Sequence, residues 1–134
     1  LYKIRAKEYL IYGKSPDDSL PEGVALDEVK ARWQRVLAHT DSDNPNDWRL
    51  AIIEADIMLD DMVKSFGYRG ETLGDRLKAI ERSDFTTIDD AWEAHKVRNA
   101  IAHQGSDFVL TKRETRRVIE LYRKVFQEFH YINN

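Results

Sequence analysis

One uninterrupted run constrains this chain more than any other. Between Pro45 and Phe66 there is no glycine and no second proline, and Trp48, Ile52, Ala55, Leu59, Met62 and Phe66 recur every three or four residues. That spacing puts the six apolar side chains on one stripe of an α-helix; a strand would need alternation at every second residue. Asn44 is the expected N-cap, and Pro45 fits the first helical position, where no amide hydrogen is needed. Asp47 stands three residues after the cap, where a carboxylate meets the positive end of the helix dipole. Gly67 supplies the left-handed stop. A helix of roughly 30 Å needs other elements to cover its stripe, and these also read as helices.

Helices are expected over residues 1–12, 26–39, 72–80, 87–103 and 111–129. Val29, Trp33, Val36 and Leu37 share one side of the first helix after the N-terminal one. Thr72 with Asp75, and Thr111 with Glu114, are capping pairs three residues apart, and Thr86 or Thr87 opens the helix between them. The last helix carries Val118, Leu121, Tyr122, Val125, Phe126 and Phe129. "GKSPDDSLPEG", with two prolines, separates residues 1–12 from the rest and reads as a loop. No segment alternates long enough for a strand. The expected fold is all-α, an antiparallel bundle of five to six helices, with 1–25 as an N-terminal helix and linker and 26–134 as the bundle.

At 134 residues the chain suits one domain with one core. The absence of cysteine rules out disulfide frameworks and thiolate metal sites, and favours a reducing compartment, the cytoplasm. A net charge of −3 gives no global attraction to nucleic acid, so an RNA contact would have to come from a local basic patch. The four histidines lack the H-x-x-x-H or E-x-x-H spacing of a helical metal site, and no metal or cofactor is expected. "GYRGETLGDR" follows a helix instead of a strand and lacks the lysine of a phosphate-binding loop. Residues 1–14 mix Lys3, Arg5, Lys7 and Lys14 with Tyr2, Ile4, Tyr9, Leu10, Ile11 and Tyr12. They read as an amphipathic first helix. The alternative is the cytoplasmic flank of an upstream membrane segment, the one route by which a membrane contact would arise.

The stretch "AWEAHKVRNAIAHQG" sets the functional question. At 100° per residue, Ile88, His95, Asn99 and His103 fall within about 60° of Trp92, while Ala94, Val97 and Ile101 lie on the far side. Two buried faces make this the expected central helix. A buried imidazole or amide without a partner costs about 1 to 3 kcal/mol. His95, Asn99 and His103 should therefore bond to one another, to backbone or to a substrate. Arg98 would pair with an acid such as Glu54 or Asp60, or reach a ligand. Five positions separate Arg98 from His103, about 140° on a straight helix. The two could converge only at a frayed helix end or across a second copy of the chain.

"RNAIAH" resembles the R-x4-H signature of the HEPN superfamily of small helical bundles, with Asn99 as the polar residue after the arginine. The outline over about residues 45–132 is similar as well: the motif ends a long internal helix and another long helix follows. The resemblance implies a homodimeric, metal-independent endoribonuclease that cleaves single-stranded RNA at the dimer cleft, of the kind found among toxins and defence effectors. Arg98 would hold the scissile phosphate, His103 would serve as general acid or base, and Asn99 would position them; an antitoxin or other protein partner would be in keeping. His95 lies outside the signature and would support Asn99 or His103 by a hydrogen bond. The alternative is a noncatalytic HEPN-like module binding a protein, nucleotide or RNA.

Three further features bear on this choice. Arg113, Arg117 and Lys124 form a ridge on the last helix with Arg116 beside it, able to track an RNA backbone or serve as a solvated face broken by Glu114, Glu120 and Glu128. Trp33, Trp48 and Trp92 sit at core phases. Asp56, Asp60 and Asp61 read as an exposed helix flank.

Overall fold

The computed structural model describes residues 25–133 as five α-helices: α1 (Leu26–Asp41), α2 (Pro45–Ser65), α3 (Leu73–Lys78), α4 (Ile88–Gln104) and α5 (Lys112–Glu128). Short 3-10 turns occupy Arg82–Asp84 and Gly105–Asp107, and no strand occurs among the described residues. The helix expected at 1–12 and its linker lie outside the described residues. The protein is an all-α helical bundle, and none of the described helices is long and apolar enough to cross a membrane.

Local chemistry sets the helix boundaries. Asn44 Oδ1 accepts from the Asn46 amide at 2.9 Å, Thr72 Oγ1 from the Asp75 amide at 3.1 Å, and Thr111 Oγ1 from the Glu114 amide at 3.0 Å. Gly67, at φ +90°, ends the α2 turn in a conformation that side chains resist. The start of α4 departs from this pattern, because Thr87 makes no side-chain cap bond. Instead, the amides of Thr86 and Thr87 donate to the Glu128 carboxylate at 2.8 Å each, and the Thr87 hydroxyl donates to it at 2.5 Å. An acid at the end of α5 thus caps α4 from outside, and its charge also suits the helix dipole.

The same pairing shows that α4 and α5 run antiparallel. Arg49, near the start of α2, donates to the Gly105 and Phe108 carbonyls beyond the end of α4, so α2 and α4 are antiparallel too. With the short α1–α2 turn, the four long helices alternate in direction, and α3 lies in the α2–α4 connection. The helix at the centre is α2, which packs against each of the other four; α4 does not take that place. Ala91, Ala94 and Ile101 of α4 are buried, but Asn99, Ala102 and His103 are exposed, because its C-terminal half borders the bundle on one side only. Aromatic side chains fill the core: Trp33 meets Phe126 edge-on at 5.5 Å, and Phe129 lies between Phe66 at 5.3 Å and Phe85 at 4.8 Å.

Candidate functional site

Asp56 stands one helical turn after Ile52 on the inward side of α2, and its side chain is only 7% exposed. A buried carboxylate is tolerable when its lone pairs are used. Here Tyr122 Oη donates to Oδ1 at 2.8 Å, His95 Nδ1 lies 3.0 Å from Oδ2, and Arg98 Nε lies 3.7 Å from Oδ2. An ionised carboxylate can only accept, so a proton stands on His95 Nδ1 wherever Asp56 is charged, and in the neutral form of the ring Nε2 is then the acceptor. The sequence expectation that His95 bonds to Asn99 or His103 is thereby corrected. The exposed-flank reading of Asp56 is corrected as well.

Burial first, then the Asp56 charge and its hydrogen bond, raise the Tyr122 pKa well above the ordinary phenol range. Tyr122 is therefore a fixed donor. Burial together with nearby acids also pushes Tyr68 and Tyr131 up to about 12. A raised folded value means that the neutral phenol stabilises the fold below the unfolded value of 10, and that this stability is lost as pH climbs from there. Urea midpoints are expected to fall steeply above pH 10, with Tyr122 alone contributing about 1.4 kcal/mol per pH unit. In Tyr122→Phe that slope should be shallower; an unchanged slope would contradict the buried phenol.

His95 opens onto a groove of about 530 Å³ between α2, α3 and α4, bordered by Asp60, Gly74, Lys78, Trp92, Arg98 and Asn99 as well as His95 and Asp56. Trp92, expected in the core, is only partly buried and forms part of this wall, edge-on to His95 at 6.2 Å. The Arg98 side chain is 36% exposed, and its Nη1 donates to Asn99 Oδ1 at 3.3 Å. Its acid is Asp56. The two expected acids are taken, Glu54 by Arg32 at 2.7 Å and Asp60 by Arg76 at 2.7 Å and Lys64 at 3.3 Å. The groove thus joins Arg98 and Asn99 to His95, while His103 lies outside it on the exposed last turn of α4.

The ridge on α5 does not line the groove. Within it, Arg117 is held by Glu114 at 2.7 Å and Glu93 at 3.3 Å, which keeps its pKa above the usual range, and Arg116 lies 3.9 Å from Asp41. Arg113 and Lys124 are exposed with no acid beside them among the described residues, eleven residues or about 16 Å apart along the helix axis. Among the described residues no three His, Asp or Glu side chains are grouped to hold a metal ion. Sequence reasoning missed Asp56, although its phase gave a signal: it follows Ile52 by four residues and precedes Leu59 by three. No family model matches the chain, and no curated protein and no solved structure shows significant similarity to it.

Proposed function

We propose that this chain is a HEPN-like domain that cleaves single-stranded RNA without a metal, through Arg98 and His103 brought together by two copies. The observation that carries the reading is that Arg98, Asn99 and His103 all reach solvent along the outer half of α4, Arg98 keeping a side chain 36% exposed while it also lies against Asp56. Asp56 restrains the Arg98 guanidinium from behind without sealing it. Two apolar side chains on α2, Leu50 at 49% exposure and Ile57 at 44%, lie two turns apart, and Ile57 borders the groove. They offer a surface on which a second copy could seat.

The chemistry needs only these groups. An imidazole takes the proton of the ribose 2′-hydroxyl, and that oxygen attacks the adjacent phosphorus. The bond from phosphorus to the 5′-oxygen breaks, and the departing oxygen receives that proton back from the imidazolium so formed. The products are a 2′,3′-cyclic phosphate and a free 5′-hydroxyl. Arg98 offsets the charge that builds on the phosphoryl oxygens, for which a permanently charged planar guanidinium is suited.

Incubating labelled single-stranded RNA in EDTA with the native chain, Arg98→Ala and His103→Ala tests this. Native protein should yield cyclic-phosphate ends, and each variant should be slower by about 10²- to 10⁴-fold. A second reading, a noncatalytic binding module for a protein, nucleotide or RNA, is favoured by the position of His103 outside the groove. Retention of RNA with no cutting at any concentration of native protein would leave that reading in place of the nuclease.

A further inference from the structure

We infer that the groove between α2, α3 and α4 is a nucleobase subsite, where His95 Nε2 accepts a hydrogen bond from an amino-bearing base lying against Trp92. The inference names the substrate class at the same site and rests on the reading that Arg98 holds nucleotide phosphate. Three independent features support it.

The first is the fixed imidazole. Asp56 holds Nδ1 from behind, and Tyr122 and Arg98 in turn hold Asp56, so Nε2 is presented to the groove in one orientation, and in the neutral ring its lone pair points outward. A histidine needed only to fill space would not require a buried carboxylate braced by two more side chains.

The second is Gly74. It lies in α3 with no left-handed φ, and a Cβ built on it would sit 3.8 Å from Thr72 Oγ1 and 3.9 Å from His95 Nε2, ordinary contact distances. Neither conformation nor crowding demands a glycine here, although glycine is among the poorest helix formers. What its bareness leaves is room directly beside Nε2.

The third is the character of the walls. The groove falls within the roughly 300 to 1,000 Å³ typical of small-ligand sites. Trp92 is a partly exposed aromatic of the kind on which bases stack. Of the acids in the lining, Asp56 is used by His95, Tyr122 and Arg98 and Asp60 by Arg76 and Lys64, so the acceptors a ligand would meet are His95 Nε2, Asp75 from α3 and the Asn99 amide, which serves in either sense. Lys78 and Arg98 are the cations that a nucleotide phosphate would meet, and Asp60 is already neutralised by Arg76 and Lys64. An acceptor at Nε2 selects a donor edge. Adenine, cytosine and guanine carry an exocyclic amine, and uracil does not.

The test is calorimetric titration of the full chain with AMP, CMP, GMP and UMP. The amino-bearing nucleotides should bind at least tenfold more tightly than UMP. Gly74→Val, which pushes methyl groups towards Nε2, should weaken AMP binding at least tenfold without lowering the melting temperature. Trp92→Leu should do the same, and keeps the test decisive if Gly74→Val fails to fold. Equal affinity for UMP, unchanged binding in the folded variants, or no binding of any of the four would overturn the subsite. Native protein that binds AMP but never cuts RNA would uphold the subsite and remove the nuclease. Cutting that persists unchanged in a folded Gly74→Val, with no nucleotide binding by the native chain, would do the reverse.

Discussion

Asp56→Ala is expected to destabilise the bundle by about 3 to 5 kcal/mol, read as a large fall in the urea midpoint at constant slope. The reason is what the substitution leaves behind. Tyr122 is fully buried and its hydroxyl donates only to Asp56, His95 Nδ1–H points at the same carboxylate, and Arg98 lies against it. Each buried donor stripped of its acceptor costs about 1 to 3 kcal/mol, and a domain of this kind has only about 5 to 15 kcal/mol in total. Asp56→Asn separates packing from chemistry. Its amide oxygen can still accept from Tyr122, so the loss should be nearer 1 kcal/mol. The amide nitrogen, however, would favour the opposite His95 tautomer, with the proton on Nε2, and the preference for amino-bearing nucleotides should disappear while the fold persists. A midpoint in Asp56→Ala close to that of the native chain would mean that the carboxylate does not hold these three partners.

The same residue shows what was legible in the sequence and what was not. The α2 boundaries were readable because Asn44, Pro45 and Gly67 act within one turn of the helix ends they control, and the Thr72 and Thr111 caps are equally local. Asp56 was hidden in plain view: its phase is inward, but Asp60 and Asp61 beside it make the segment look like a solvated flank. Its partners lie 39 and 66 residues away, on helices whose packing no local rule specifies. The N-terminal cap of α4 was unreadable for the same reason, since Glu128 reaches Thr87 from 41 residues away. Periodicity also treats every turn of a helix alike. It placed Asn99 and His103 on the face of Trp92 correctly, yet it could not show that this face leaves the bundle after His95. The polar residues of α4 therefore divide in two: His95 is braced inside, whereas Asn99 and His103 stand outside.

That division yields the sharpest test of the composite site, because mixing two inactive variants is expected to restore cleavage. α4 is continuous through Gln104, so Arg98 and His103 of one chain diverge by about 140° around its axis. If the scissile phosphate needs both, one group must come from each copy. A two-fold dimer then has two sites, each pairing Arg98 of one protomer with His103 of the other. Homodimers of Arg98→Ala lack the arginine at both sites, and homodimers of His103→Ala lack the imidazole at both. A mixed dimer contains one site with both groups intact and one with neither. With random exchange at equal concentrations, half of the dimers are mixed and half of their sites work, so about a quarter of native activity should return. The recovery should follow the mixing ratio, peaking at equal parts. It should vanish when Ile57→Asp, placed in both variants, puts a charge on the exposed apolar face of α2. Two inactive variants that fail to recover on mixing, in a protein shown to exchange subunits, would mean that both groups serve from one chain, and the two-fold arrangement would have to be abandoned.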